Sequence, residues 1–255
     1  MNYPNLERLI EIIDILRSPG GCEWDREQTH ATLKRNMFEE AYEAVDAIID
    51  NDMKHLQEEL GDVLLQVVLH AQIAKEEKAF DIEDVAKTLS DKLIHRHPHV
   101  FGNQKVSSTA EILENWEKLK KEEKPHRTSV MDGISKSQSA LMSAQKISKK
   151  AVKVGFEWPN EESLNECVLS EIKEFKEAKT QEEKEEELGD ILFAVVNLAR
   201  WNKIDAEQAL IKANKKFIAR FKAMETAAHK ELEHLTLEEW DELWKKAKKS
   251  VKETV

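Results

Sequence analysis

The residues of this chain best suited to chemistry are carboxylates, and they come in two matched sets. Glu39-Glu40-Ala41-Tyr42-Glu43 is followed by Glu58-Glu59-Leu60-Gly61-Asp62, and Ser170-Glu171-Ile172-Lys173-Glu174 by Glu186-Glu187-Leu188-Gly189-Asp190. Each set is an ExxE and then an ExxD. Residues three apart share a helix face, so each set can aim four carboxylates at one point. Four such anions repel one another unless a hard cation sits among them. A donor set of oxygens, with no His or Cys in the motif, suits Mg²⁺ or Mn²⁺ and has room for more than one ion. Mg²⁺ shares its shell with waters and substrate phosphates, so a diphosphate or triphosphate is the matching ligand class.

Most glutamates on helices are solvated surface charge, and Glu182, Glu183, Glu185 and Glu186 read that way. The aspartates stand apart. From Leu60 to Leu69 the chain is apolar almost all the way round a helix, with Asp62 inside the run. Asp190 interrupts Leu188 to Leu198 in the same way. A helix apolar on all sides is expected to be buried, and a carboxylate inside it costs several kcal/mol unless paired or metal-bound.

The elements that carry these residues are helical throughout, since no stretch shows the alternation of a strand. In the first half, helices are predicted near 4–17, 30–50, 52–78, 81–96 and 108–123, with an irregular loop over 18–29. In the second half they are predicted near 135–151, 160–179, 182–202, 204–229 and 236–252. Pro125 and Asp132-Gly133 mark the best linker. The expected domains are therefore 1–123 and 135–255, joined by 124–134. A Glu-Trp pair precedes each motif (Glu23-Trp24, Glu157-Trp158), and each half ends on a Trp with a Lys four residues on, Trp116 with Lys120 and Trp244 with Lys248. Between them lie Lys92 with Arg96 and Lys216 with Arg220, each pair four apart and able to reach one anion. The order W, ExxE, ExxD, KxxxR, W recurs in both halves, which is better explained by duplication than by helical composition. Trp116 and Trp244 can stack on a base or pack the terminal helix.

Seven glycines and five prolines in 255 residues, with 35% charged residues, point to long helices with solvated faces. A net charge of −11 argues against nucleic-acid binding through phosphate contacts. Cys22 and Cys167 lack zinc spacing, so a reducing cytoplasm is the expected setting. No signal peptide and no run of membrane-spanning length is seen. His95-Arg96-His97-Pro98-His99 looks like a metal cluster, but the proline breaks helical ligand spacing, and a helix end with capping histidines is expected. Glu27 to His30 and Glu231 to His234 are formally ExxH but fall outside the repeat, against a di-metal oxidase. No phosphate-binding GKS or GKT follows Gly20-Gly21.

Cys22 through His30, Glu39 to Glu43, Glu59-Leu60-Gly61-Asp62 and Arg96-His97-Pro98-His99-Val100-Phe101 together resemble the MazG family of nucleoside triphosphate pyrophosphohydrolases. Ala144 to Ile147 with Val154 to Trp158 resembles the region between its repeats, and Glu171 to Glu174, Glu187 to Asp190 and Lys215 to Arg220 its second repeat. The resemblance spans essentially the whole chain. It implies an all-α fold of two tandem helical repeats, of the superfamily that also contains dimeric dUTPases. It implies a hydrolase releasing monophosphate and pyrophosphate from NTPs or dNTPs, and a homodimer or higher oligomer. The implied ligands of Mg²⁺ are Glu40, Glu43, Glu59 and Asp62 in one repeat, and Glu171, Glu174, Glu187 and Asp190 in the other. Lys92, Arg96 and Trp116, with Lys216, Arg220 and Trp244, match the nucleotide contacts. Glu39 or Glu40, and Glu171, are the candidates to orient the attacking water. Ser170 stands where the first copy has Glu39, so the repeats are unequal, and the second is the expected site of broad NTP hydrolysis. The competing readings are a non-catalytic helical module with structural metal and a di-metal carboxylate oxidase.

Overall fold

A computed structural model describes residues 3–123 and 127–251. The chain divides into two compact units, Met1–Lys124 and Pro125–Val255. Among the described residues every regular element is helical.

In the first unit, α1 (Pro4–Arg17) opens with Pro4 in its first turn, where the missing N–H is harmless. The chain then turns through Gly20, at φ +88°, and Gly21, where a Cβ would collide with the carbonyls of Ile15 and Leu16. α2 (Glu23–Glu27) follows, a short helix inside the stretch expected to be irregular. It has no side-chain cap. What holds it is Arg17, nine-tenths buried, whose guanidinium donates to the carbonyls of Asp25 and Gln28. The same group grips both oxygens of Glu76 at 2.8 Å, tying the end of α1 to the end of α4.

α3 (Lys34–Ile49) and α4 (Met53–Glu76) pack along each other as a hairpin. α3 starts at residue 34 rather than 30 because Thr29 and Thr32 close a local turn, each hydroxyl accepting from the other's backbone N–H. Asp52 caps α4, accepting from the N–H groups of Lys54 and His55. α5 (Ile82–Arg96) begins in a reciprocal capping box between Asp81 and Asp84. It stops before Pro98, with the His97 ring nitrogen 2.6 Å from the Leu93 carbonyl, as the capping-histidine reading expects. α6 (Pro98–Phe101) and α7 (Thr109–Glu122) complete the unit. Its core is Ile13, Leu33, Val68, Leu69 and Ile73, where α1 meets the later half of α4.

In the second unit, α8 (Ala140–Val152) starts five residues later than the periodicity predicts, because Ser139 caps it from the side-chain hydroxyl. Val130 and Asp132, in the stretch expected to link the domains, hold this unit's Lys150 through their carbonyls, at 2.7 and 3.1 Å. Residues 124–126 of that stretch lie outside the described residues. α9 (Glu161–Glu177) and α10 (Gln181–Trp201) form the second long hairpin, matching α3 and α4. The Glu157 carboxylate and Arg200 join in two bonds of 2.6 and 2.7 Å, pinning the loop before α9 to the end of α10. α11 (Ala206–Ala227) and α12 (Leu237–Ser250) then pack through Met224, Leu243 and Ala247.

Candidate metal centres

The two hairpins bring the motif carboxylates together. In the first, one oxygen from each of Glu40, Glu43 and Glu59 lies within 4.8 Å of the others. In the second, the same holds for Glu171, Glu187 and Asp190. The remaining members stand aside. Asp62 is outside the first group, although its charge reaches Glu40. Glu174 is outside the second and accepts the Ser170 hydroxyl at 2.9 Å. Glu39 is exposed and lies 4.0 Å from Arg35.

The burial of these groups differs from the expectation. Asp62 is only half-buried and Asp190 is exposed. The apolar residues around them are also open: Leu60 is 53% exposed and Leu192 53%, with Leu64, Leu188 and Val195 alongside. Within each unit the hairpin covers one side of the helix, and apart from Glu59 the buried residues of α4 and α10 lie in their later halves, from Gln66 and Ala194 onward. The buried carboxylate is Glu59, at 6% exposure. Its Oε1 lies 2.8 Å from His55 Nε2, while Oε2 is buried with no hydrogen-bond partner. An unsatisfied buried carboxylate oxygen is costly.

The electrostatics match that crowding. The Glu40 carboxyl is held above the ordinary glutamate range by burial and by the charges of Asp62, Glu43 and Glu59. Glu43 is raised by burial and the neighbouring Glu59. In the second group Glu187 is raised by burial, then by Glu174, Asp190 and Glu171. Like charges in one place disfavour ionisation unless a cation joins them. The donor atoms are all carboxylate oxygens, the set that hard divalent cations take.

The basic residues are treated differently in the two units. Arg96 lies over Trp116 at 5.6 Å but its guanidinium is clasped bidentately by Glu123. Arg220 lies over Trp244 at 5.7 Å, has no carboxylate partner among the described residues, and keeps a buried Nε without an acceptor. Lys92 and Lys216 are exposed. Trp116 and Trp244 both pack as well, against His97 and Phe217. Along α10, beyond Asp190, Phe193 and Asn197 line an apolar cavity of about 270 Å³ with Ile147, Phe156 and Trp158. The formal ExxH pairs join neither group: His30 meets His70 at 2.7 Å, and His234 sits 3.4 Å from Glu231 in a short turn.

The MazG nucleotide pyrophosphohydrolase domain model matches residues 28–101 and again 159–224. The chain belongs to the MazG nucleotide pyrophosphohydrolase family. It is 50% identical over 246 residues to the nucleoside triphosphate pyrophosphohydrolase/pyrophosphatase MazG of Thermotoga maritima, covering 95% of each chain. It is 44% identical over 255 residues to the nucleoside triphosphate pyrophosphohydrolase of Escherichia coli, covering 96% of this chain and 97% of that one. A mazG-related protein of Thermotoga maritima, solved by crystallography, is 34% identical with a TM-score of 0.40, covering 45% of this chain and 98% of its own. Both domain matches of this MazG chain include an ExxE and an ExxD.

Two side chains at the centres escaped the motif reading. His55 stands one turn before Glu59, so the i, i+4 spacing was a usable signal. Glu123 follows Trp116 by seven residues, where the second repeat has Val251 after Trp244. That mismatch between repeats was the signal for the Arg96 clasp.

Proposed function

We propose that this chain hydrolyses nucleoside triphosphates to the monophosphate and pyrophosphate, using divalent cations held by the two carboxylate groups. The observation that carries this reading is the convergence of three motif carboxylates on each hairpin, two of them at matching positions, with Glu59 buried and one of its oxygens left unpartnered. Glu40, Glu43 and Glu59, with Asp62 close by, would hold the cation in the first repeat. Glu171, Glu187 and Asp190, with Glu174 released from Ser170, would hold it in the second. When bound there, Mg²⁺, or Mn²⁺ in its place, would supply Lewis-acid chemistry to the phosphates and their attacking water.

The protein's own groups do the rest. Glu171, or Glu40 with Glu39 in the first repeat, orients a water for in-line attack on the α-phosphorus. Lys216 and Arg220 neutralise charge on the departing pyrophosphate. Arg220 suits this task because no carboxylate among the described residues competes for it, whereas Arg96 must first leave Glu123. The second repeat is therefore the main site of turnover. Trp244, Trp158 and the aromatic-lined cavity offer stacking surfaces to the nucleoside. The open apolar faces of α4 and α10 fit a homodimer or higher oligomer. None of the described helices is long and apolar enough to cross a membrane. The acidic chain supports a cytoplasmic enzyme without nucleic-acid partners.

Pyrophosphate release from the common NTPs and dNTPs, measured with E187Q and E59Q separately, tests the proposal. E187Q is expected to remove at least 100-fold of the rate, because it weakens the hold on the cation that would stabilise the developing charge (about 10² or more). Unchanged pyrophosphate release by the E59Q, E187Q double variant would refute it.

A further inference from the structure

The two carboxylate groups differ in one neighbour. In the first, His55 Nε2 meets Glu59 Oε1 at 2.8 Å, and the Glu59 side chain is only 9% exposed. One oxygen is thus committed, and Oε2 is left buried without a partner beside Glu40 and Glu43. The residue standing four before Glu187 is Glu183, not histidine. Its carboxylate accepts from the backbone of Lys179 and Thr180, closing the capping box of α10, so it gives Glu187 nothing. Two further groups of the second site are engaged otherwise. Glu174 accepts from Ser170, and Glu171 lies 3.8 Å from the Cys167 sulfur. Asp190 is exposed.

We propose that His55 is a positioning residue that makes the first repeat a resident cation site, one that binds a divalent ion without nucleotide. The second repeat binds its ion together with the triphosphate. The inference rests on the reading of both groups as cation sites and goes beyond it in separating their roles. The physical basis is preorganisation. A long carboxylate side chain loses rotamer freedom when a metal fixes it. For Glu59 that freedom is largely gone, because burial and the 2.8 Å contact with the His55 imidazole restrain the carboxylate before the ion arrives. Hydrogen bonds that orient a ligand are worth roughly 10- to 100-fold in metal affinity. Lacking such an orienter at Glu187 and facing solvent, the second group relies on phosphate oxygens to complete the shell, as Mg²⁺ sites commonly do.

The test titrates Mn²⁺ into the full chain after chelator stripping, reading free Mn²⁺ by electron paramagnetic resonance. Without nucleotide, the native chain is expected to show one tight class per chain. H55A should weaken that class by about 10-fold or more. H55Q, whose amide can still donate to Glu59 Oε1, should restore most of it, and E187Q should leave it unchanged. Adding a non-hydrolysable triphosphate analogue should bring in a second class that E187Q removes. Because the His55 side chain is 46% exposed, its loss should leave the fold intact, which a far-ultraviolet melt checks. A tight class unaffected by H55A, or one abolished by E187Q rather than E59Q, would overturn the assignment to His55. No Mn²⁺ bound with or without the analogue would overturn the cation reading itself, and the proposal with it.

Discussion

Glu59 is buried with one carboxylate oxygen short of a hydrogen bond, and beside it the Glu40 and Glu43 carboxyls are crowded by like charges that disfavour their ionised forms. The raised carboxyls have a pH signature whose sign follows from linkage. A carboxyl whose folded pKa lies above its unfolded value favours the fold while protonated, and that contribution is lost as pH rises through the raised value. Glu40, Glu43 and Glu187 all shift this way. Glu76 and Glu157 shift down under Arg17 and Arg200, so their contribution is instead lost as pH falls. The cation effect isolates the first set, since metal competes with the protons on those three groups. The rise in melting temperature caused by Mn²⁺ should therefore be larger at about pH 7.5 than at about pH 5. Melts in chelator and in Mn²⁺ at both values check this, and equal shifts would refute it. The ExxE and ExxD spacing made the convergence legible before any coordinates. Which carboxylate is buried was not legible, because burial depends on which side of α4 and α10 the hairpin covers.

Helix boundaries were legible where a side chain caps them and illegible where tertiary contacts decide. Asp81, Thr180 and Thr236 sit in reciprocal boxes, and α5, α10 and α12 begin just after them, close to the predicted starts. α2 has no such cap and depends on Arg17 from another helix, which no local pattern announces. A similar long-range device joins α10 to α11. Gln145 is buried at 6% exposure, donates to the Ile204 carbonyl at 2.7 Å and accepts from the Ala206 N–H at 2.9 Å. It therefore satisfies both sides of the turn between the two helices, the Ala206 N–H in a buried bond and the Ile204 carbonyl in a part-buried one. Q145A leaves the buried Ala206 N–H without a partner and should destabilise the chain by about 1–3 kcal/mol. Urea unfolding followed by far-ultraviolet circular dichroism measures it. A loss below about 0.5 kcal/mol, the range of ordinary surface substitutions, would show that the turn does not depend on Gln145.

At the scale of the whole chain, duplication produced two units with the same hairpin and unequal surroundings. In the first, His55 lies 2.8 Å from Glu59 and Glu123 clasps Arg96; in the second, neither contact has a counterpart among the described residues. Both hairpins share one unresolved need, since apolar side chains next to the carboxylates remain open within each unit. On α10, Leu188, Leu192 and Val195 are spaced i, i+4, i+7, which forms a stripe along one face, 47%, 53% and 47% exposed. A helix–helix partner from a second copy is the cover that such a stripe calls for, and it would shield the adjoining carboxylates from solvent. The native chain should then run by light scattering at no less than twice 29.5 kDa. Placing a charge in the stripe, as in L192E, would force an ion into the interface at a cost of several kcal/mol. The variant is expected to run as a monomer and to lose pyrophosphate release, while each unit keeps its helical content because Leu192 is not part of either core cluster. A native chain that is monomeric and active would refute this account of the exposed stripe.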